Sequence, residues 1–238
     1  MVKKEIVVGI DEAGRGALAG PVVSCAFMFN DKADLSANDE IRSTLKDSKQ
    51  LSEKKREDIR DVLYRTNNVF RTAERDAKYV DCMNVLNATK ASATEAFIAV
   101  ADQYHTYIFP SPDGTVYGGT HHNTDNIDYD KMPTARIKVD GNVPLVDSGV
   151  LKNTVQECIV KGDTLIPEIM AASILAKVSR DDTMRSISTT LKERFGGKDP
   201  YNLAENKGYG TPQHLEALRL YGPTEFHRKT FKRVREYV

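Results

Sequence analysis

The sequence predicts an α/β protein in which short buried strands are followed by helices. Its first apolar run, residues 5–10, is almost uninterrupted, as expected of a strand that is buried on both faces of a sheet. Residues 22–29 form a second such run. Farther along the chain, Ile59, Val62 and Leu63 recur on one stripe of an amphipathic helix. Buried strands and amphipathic helices in one chain indicate a layered α/β fold.

The remaining elements follow from the same two periodicities and from capping residues. Ser52 is predicted to cap the first helix, and Thr211 is predicted to cap a short helix that ends at Gly222. Further strands are predicted at residues 68–74, 135–139 and 157–161, and longer helices at residues 76–103 and 167–192. The first turns of the helix predicted at residues 167–192 are rich in small residues, which permits a close approach to a sheet.

The composition excludes several classes of protein. A chain of 238 residues can bury a substantial core without disulfides. Its 34 basic and 34 acidic residues cancel, so a polyanion would have to bind a local patch. The N-terminal apolar run is too short for a signal peptide or a membrane span, and the three widely spaced cysteines contain no CxxC pair. We therefore expect a cytoplasmic protein with buried, reduced thiols and no membrane partner.

Acidic residues follow three of the predicted strands. Asp11 and Glu12 come directly after the first apolar run, Asp140 directly follows a later strand, and Asp163 comes one glycine after the next. Ligand sites of open α/β sheets lie beyond the carboxyl ends of the strands, so these acids could converge. Their oxygens suit Mg²⁺ or Mn²⁺, and two such ions about 3.5–4 Å apart can drive phosphodiester hydrolysis. The alternative is that each acid is solvated or caps a helix.

Residues 14–21 form a glycine-rich segment between the first two strands. Its backbone amides could approach a phosphate or a sugar closely, although no GK[ST] follows as in a P-loop. Arg15, between Gly14 and Gly16, favours contact with a nucleic-acid backbone. We call these three residues the GRG loop. A plain tight turn is the alternative.

Basic residues near the C-terminus supply the local charge that the whole chain lacks. Five of them lie close together with no acid among them, namely Arg228, Lys229, Lys232, Arg233 and Arg235. This excess predicts a phosphate-binding patch, with a solvated helix face as the alternative. Lys49 and Lys161 could also contact substrate phosphates or balance the acidic cluster, or could be solvated charges.

Seven segments together resemble ribonuclease HII, the type 2 ribonuclease H family. They are GIDEAGRGALAGPVV at 9–23, DSKQLS at 47–52, VDGN at 139–142, VKGD at 160–163, AASILAKVSRD at 171–181, NKGYGT at 206–211 with His214 after it, and HRKTF at 227–231. The segments occur in family order and span nearly the whole chain. The resemblance implies a ribonuclease H-like fold, in which a central five-stranded mixed sheet is flanked by helices. It further implies a catalytic domain at residues 1–195 and a C-terminal helical extension at residues 196–238 that binds substrate.

The resemblance also implies an activity. The expected reaction is hydrolysis on the 5′ side of ribonucleotides in RNA–DNA hybrids, and of single ribonucleotides embedded in duplex DNA, leaving 3′-hydroxyl and 5′-phosphate ends. An acidic tetrad with two Mg²⁺ or Mn²⁺ ions would fall on Asp11, Glu12, Asp140 and Asp163. The GRG loop and Tyr209 would recognise the ribose 2′-hydroxyl at the junction, with the tyrosine ring stacked on the next deoxyribose. We expect a monomer.

One stretch, residues 107–134, departs from the family pattern. It is rich in Gly, Pro, Asn and Asp, and it predicts an inserted surface loop or hairpin without an assigned function. His121 and His122 lie near several acids there, but their spacing fits no known ligand motif, which favours a polar loop over a metal site.

The sequence leaves two alternatives to ribonuclease HII. Ribonuclease HIII, which cuts only longer hybrids, ends its tetrad with glutamate and usually carries an extra N-terminal substrate-binding domain. Here Asp163 occupies the glutamate position, and we expect no such domain before Met1. A non-catalytic nucleic-acid-binding module would be expected to lack part of the tetrad.

Overall fold

A five-stranded mixed sheet flanked by helices confirms the predicted fold class. The computed structural model describes residues 6–30, 35–45, 51–66, 68–108, 135–147 and 154–238. Its strands are β1 (Ile6–Ala13), β2 (Val22–Met28), β3 (Val69–Arg75), β4 (Ala135–Asp140) and β5 (Thr154–Ile159). They lie in the order β3-β2-β1-β4-β5, in which β2 is antiparallel to both of its neighbours and β1, β4 and β5 are parallel. Lys49 and almost all of the 107–134 stretch, including His121 and His122, lie outside the described residues.

The helices pack on both faces of this sheet. They are α1 (Leu35–Thr44), α2 (Glu53–Arg65), α3 (Ala77–Met83), α4 (Val85–Ile108), α5 (Gly162–Leu165), α6 (Pro167–Arg194), α7 (Leu203–Asn206), α8 (Pro212–Tyr221) and α9 (Lys232–Arg235). The predicted caps are confirmed, because the side chains of Ser52 and Thr211 accept hydrogen bonds from backbone N–H groups of α2 and α8, and Gly222 ends α8. Among the helices described, none has the length and apolar character needed to cross a membrane.

Strand β2 shows how the two core layers arise. Alternate side chains of a strand point to opposite faces, so Cys25 and Phe27 join the cluster formed with α2 and α6. Ala26 and Met28 join the opposite cluster, formed with α4. The prediction that the cysteines are buried is correct only for Cys25. All three cysteines are free, but Cys82 is exposed and Cys158 is partly exposed.

The close approach predicted for the small-residue helix is also confirmed. At Gly9 in β1, an added Cβ would lie 2.2 Å from the backbone carbonyl carbon of Glu168 in α6. Ala171 and Ala172 of α6 are fully buried next to the sheet. Helix α6 therefore crosses close to β1, the strand that carries the first two acids.

Three predicted boundaries need correction. The long helix predicted at residues 76–103 is broken at Asn84, whose φ of 65° is left-handed and whose side chain caps α4 by accepting from the N–H of Asn87 at 3.0 Å. Strand β1 does not end before the acids, because its antiparallel pairing with β2 continues to Ala13. Strand β5 begins and ends earlier than the predicted 157–161, since its ladder with β4 pairs Ala135 with Thr154.

The C-terminal part of the chain packs against the second half of α6. Met184 and Leu191 of α6 share a buried cluster with Tyr201, Leu218 and Val234. Two residues that follow the GRG loop belong to the same cluster, namely Leu18 and Ala19. The C-terminal helices are therefore in direct contact with the glycine-rich segment, while a domain boundary at residue 195 stays a prediction.

Candidate active site

Three of the four predicted acids meet at the carboxyl ends of the parallel strands. One carboxylate oxygen from each of Asp11, Asp140 and Asp163 lies within 4.8 Å of the others. The register explains the first pair, because Ile10 of β1 faces Val139 of β4 and the next residue of each strand is an aspartate. Asp163 arrives from α5, just after β5, and its N–H donates to Asp140 Oδ1 at 3.3 Å. We call these three residues the carboxylate cluster.

The environment of Asp11 resists a negative charge. Burial raises the pKa of the Asp11 carboxyl well above its usual value, and the charges of Glu12 and Asp140 raise it further. Two hydrogen bonds act in the opposite direction, from the Ser173 hydroxyl and from the Glu12 N–H, which lies 2.7 Å from Asp11 Oδ1. Such a largely buried, mutually repelling set of oxygen ligands fits a hard divalent cation, which would stabilise the charged carboxylates.

Glu12 differs from the other three acids. Its side chain is 14% exposed, and its Oε1 lies 3.2 Å from the Nη1 atom of Arg15. Within the described residues it does not belong to the carboxylate cluster. The structure therefore places Glu12 between the cluster and the GRG loop, and its metal-binding role stays a proposal.

Ser173 is a site residue that the sequence reasoning missed. It lies on α6, is buried, and its hydroxyl hydrogen-bonds to Asp11. The sequence predicts only a packing surface for the small-residue stretch that contains it. A serine within an otherwise apolar buried run was the available signal, because a buried hydroxyl needs a hydrogen-bonding partner.

A buried arginine packs against the glycine-rich segment and its neighbours. Arg180 of α6 donates hydrogen bonds to the carbonyl oxygens of Pro21 at 2.9 Å, Lys207 at 2.8 Å and Ala19 at 3.2 Å. At Gly14, where φ is +93°, an added Cβ would lie 1.9 Å from Arg180 Nε. The first glycine of the loop is thus required both by its backbone conformation and by contact with this side chain.

Tyr209 lies beside the GRG loop. Its ring Cε1 is 3.9 Å from the position that a Cβ would take at Gly16. The Tyr209 side chain is 43% exposed, and Arg15 and Gly16 are exposed as well. The Arg180 guanidinium lies 5.6 Å from the centre of the Tyr209 ring. The loop and the tyrosine therefore present one continuous accessible surface.

The predicted basic patch is only partly exposed, and Arg228 is a correction. Lys229, Lys232 and Arg233 are exposed, and Arg233 Nη1 lies 3.4 Å from the position of a Cβ at Gly210, next to Tyr209. Arg228 is instead fully buried. It cannot contribute to an exposed phosphate-binding surface because the segment around it pairs with the chain that follows the GRG loop. Lys161 is exposed and precedes α5.

The buried Arg228 holds the backbone of the glycine-rich segment. Its Nη1 donates to the carbonyl oxygen of Arg15 at 2.9 Å, while Nε and Nη2 donate to that of Gly20 at 3.1 and 3.0 Å. Burial, and then the charge of Arg180, lowers the pKa of Arg228 to about 9. Two buried guanidinium groups thus support one short segment, chiefly through backbone carbonyls.

Two buried histidines form a chain of contacts that ends at the backbone of Tyr209. The Nε2 atoms of His214 and His227 are 3.0 Å apart. Burial is the main cause that lowers the pKa of both rings, and for His227 the neighbouring histidine helps to lower it to about 3. Both rings are therefore neutral in the folded protein at neutral pH.

This pair predicts a loss of stability in mild acid. The pKa of His227 falls from 6.5 in the unfolded chain to about 3 in the folded one. The contribution of the neutral ring to the free energy of unfolding is therefore complete above pH 6.5 and declines as the pH falls towards 3. We expect His227 alone to lower the free energy of unfolding by about 2 kcal/mol between pH 7 and pH 5. Urea unfolding at the two pH values measures this, and the His227→Gln variant should lose that part of the pH dependence. An equal difference in variant and wild type would contradict it.

The sequence comparisons identify the family. Residues 8–107 and 122–234 match the family model for Ribonuclease HII. A ribonuclease HII from Burkholderia ambifaria is 35% identical over 232 residues, which cover 98% of this chain and 84% of that protein. A ribonuclease HII from Pelagibacter ubique is 32% identical over 234 residues, which cover 98% of this chain and 100% of that protein.

Solved structures agree on the fold. Ribonuclease H2 from Pyrococcus horikoshii OT3 has a TM-score of 0.62 and 23% identity, and the match covers 98% of this chain and 96% of that one. Bst-RNase HIII in complex with Mn²⁺ has a TM-score of 0.60 and 14% identity, covering 100% of this chain and 70% of that one. On the family match and the curated relatives together, the chain belongs to the ribonuclease HII family of endoribonucleases.

Proposed function

We propose that this protein hydrolyses the phosphodiester on the 5′ side of ribonucleotides, both in RNA–DNA hybrids and at single ribonucleotides in duplex DNA. The products would carry 3′-hydroxyl and 5′-phosphate ends. The observation that carries this proposal is the adjacency of the carboxylate cluster to the GRG loop and Tyr209. Glu12 follows Asp11 directly and reaches Arg15 at 3.2 Å, so a sugar held at the loop would lie beside the acids.

The residues for a metal site are Asp11, Asp140 and Asp163, and we propose Glu12 as a fourth ligand. Carboxylate oxygens suit Mg²⁺ or Mn²⁺, and we propose two ions in each site. When bound, such ions stabilise the attacking and leaving oxygens of phosphoryl transfer. The protein's own contribution is to orient these ligands: Ser173 and a backbone N–H hold Asp11, and another backbone N–H holds Asp140.

Substrate recognition would use the exposed surface beside the cluster. Backbone groups of the GRG loop would contact the 2′-hydroxyl, the group that distinguishes a ribose from a deoxyribose, and the exposed Tyr209 ring would stack on the next sugar. Exposed cations would contact phosphates, and we propose Lys161, Lys229, Lys232 and Arg233 for this role. Lys49 remains a further candidate. We also propose that the protein is a monomer and that it is located in the cytoplasm.

Cleavage of defined duplexes tests the proposed function. We expect the purified protein, with Mg²⁺ or Mn²⁺, to incise DNA that contains one ribonucleotide at the 5′ side of that residue, and to cut a continuous RNA–DNA hybrid. The matched all-DNA duplex is the control and should stay intact. Mapping of the product ends tests the predicted chemistry.

Each alternative gives a different result in the same assay. Cleavage of the hybrid without incision at a single ribonucleotide would favour the ribonuclease HIII type of specificity. Binding of both duplexes without cleavage in either metal would favour a non-catalytic module, and it would contradict the proposal.

A further inference from the structure

The glycine-rich segment and the C-terminal block around His227 are held together by backbone pairing. The N–H of Gly20 donates to the carbonyl oxygen of Phe226, and the N–H of Arg228 donates to that of Leu18, each at 2.8 Å. The two contacts flank an antiparallel bridge formed by His227. The C-terminal block is therefore fixed directly against the segment that follows the GRG loop.

Two adjacent side chains of this block extend to the two halves of the proposed recognition surface. Arg228 reaches the GRG loop, where it binds the carbonyl oxygen of Arg15 at 2.9 Å. His227 reaches Tyr209 through His214, whose Nδ1 lies 3.0 Å from the Tyr209 carbonyl oxygen. All of these polar contacts are with backbone atoms or with another ring of the same chain.

The hydrogen-bond directions along the histidine chain follow from its ends. The backbone N–H of Thr224 can only donate, so His227 Nδ1 accepts, and the proton of that ring is on Nε2. His227 Nε2 therefore donates to His214 Nε2. The Tyr209 carbonyl can only accept, so His214 Nδ1 carries a proton and donates to it. Two neutral rings of fixed tautomer thus link Thr224 to the backbone of Tyr209.

We propose that His227 and Arg228 are positioning residues, which fix Tyr209 and the GRG loop relative to each other and so set the preference for a ribonucleotide followed by a deoxyribonucleotide. This inference rests on the proposed function. The tyrosine would contact one sugar of the junction and the loop the other, so their separation decides whether both are engaged at once. A displacement of about 1 Å in a positioning group can reduce a rate by about 10²-fold.

Tyr201 provides a matched control from the same buried cluster. Its ring centre lies 4.7 Å from that of His227, and its hydroxyl donates to the carbonyl oxygen of Gly222 at 2.6 Å. The Tyr201→Phe variant therefore loses a buried hydrogen bond of the cluster without interrupting the chain to Tyr209. It is expected to lower the melting temperature and to leave substrate preference unchanged.

The test measures the preference for one substrate over another. Single-turnover cleavage is followed on DNA with one ribonucleotide and on a continuous RNA–DNA hybrid. The rate on the first substrate divided by the rate on the second gives a ratio that is compared among variants. Tyr209→Ala is the reference for a lost junction contact. We expect His227→Phe and Arg228→Met each to lower this ratio about tenfold or more. His227→Gln, whose amide can donate to His214, should restore the ratio to near that of wild type.

A second pair of variants covers the case in which His227→Phe does not fold. His214→Asn keeps a donor near the Nδ1 position that faces Tyr209, whereas His214→Gln keeps a polar group only near Nε2. The ratio should be preserved better by asparagine than by glutamine, and equal ratios would overturn the histidine part of the inference.

The outcomes separate this inference from the proposed function. A wild-type protein that does not incise DNA at a single ribonucleotide would overturn both. If wild type incises it and Tyr209→Ala lowers the ratio, but the His227 and Arg228 variants behave like Tyr201→Phe at similar loss of melting temperature, then only the positioning role is overturned.

Discussion

Replacement of Asp11 by asparagine is expected to reduce cleavage by about a thousandfold or more without unfolding the protein. The change removes one charge from the carboxylate cluster, and a loss of about 4 kcal/mol in transition-state stabilisation corresponds to that factor. An asparagine oxygen can still accept the hydrogen bond that Asp11 receives from the Glu12 N–H at 2.7 Å. Single-turnover cleavage with Mg²⁺ or Mn²⁺ measures the effect.

The same variant should be at least as stable as the wild-type protein, although it cleaves far more slowly. Because burial and the neighbouring charges raise the pKa of Asp11 above its value in the unfolded chain, ionisation of this carboxyl destabilises the folded protein at neutral pH. In EDTA at pH 8, we expect Asp11→Asn to melt at the same temperature as wild type or higher. Added Mn²⁺ should raise the melting temperature of wild type more than that of the variant.

A control outside the cluster completes this experiment. Asp182 on α6 is about half exposed and is paired with Arg60 and Arg185. The Asp182→Asn variant removes the same charge there and should cleave at the wild-type rate. Cleavage by Asp11→Asn within threefold of wild type, or a clear loss of stability in EDTA, would refute the role assigned to Asp11.

The second large effect is expected at Gly9, where β1 meets α6. An alanine Cβ would lie 2.2 Å from the carbonyl carbon of Glu168 and 2.4 Å from the nitrogen of Ile169. Backbone cannot rotate away as a side chain can, so the strand and the helix must separate. We expect Gly9→Ala to lower the free energy of unfolding by about 3 kcal/mol, and the melting temperature by about 10 °C.

Gly197 is the matched control for this substitution. Its φ is +97° and no atom lies within 4 Å of an added Cβ, so Gly197→Ala changes backbone strain without a clash. We expect it to cost only about 1–2 kcal/mol. Because Gly9 lies two residues before Asp11, its alanine variant should also lose cleavage. Equal destabilisation by the two variants in thermal and urea unfolding would argue against the close contact.

Local patterns were sufficient for most of the elements. Ser52 and Thr211 could be predicted as caps because a cap depends on the chain within three residues of it. The break at Asn84 is not visible in the sequence because apolar spacing continues across it, while the positive φ of Asn84 interrupts the helix. The early start of β5 is not visible in the sequence because polar Thr154 and Gln156 flank the one apolar residue there, and only the ladder with β4 makes this stretch a strand.

In the candidate site, too, some features are visible in local sequence patterns and others depend on contacts between distant parts of the chain. The sequence shows acids after three predicted strands, and its motifs indicate the family. Long-range packing buries Arg228 against the glycine-rich segment, brings the Ser173 hydroxyl to Asp11, and links the C-terminal block to Tyr209 through two histidines. Charge and residue type are visible in a sequence, but the partner of a buried polar group can lie about two hundred residues away, as Arg15 does from Arg228. Chain packing therefore determines whether an arginine binds a phosphate or a backbone carbonyl.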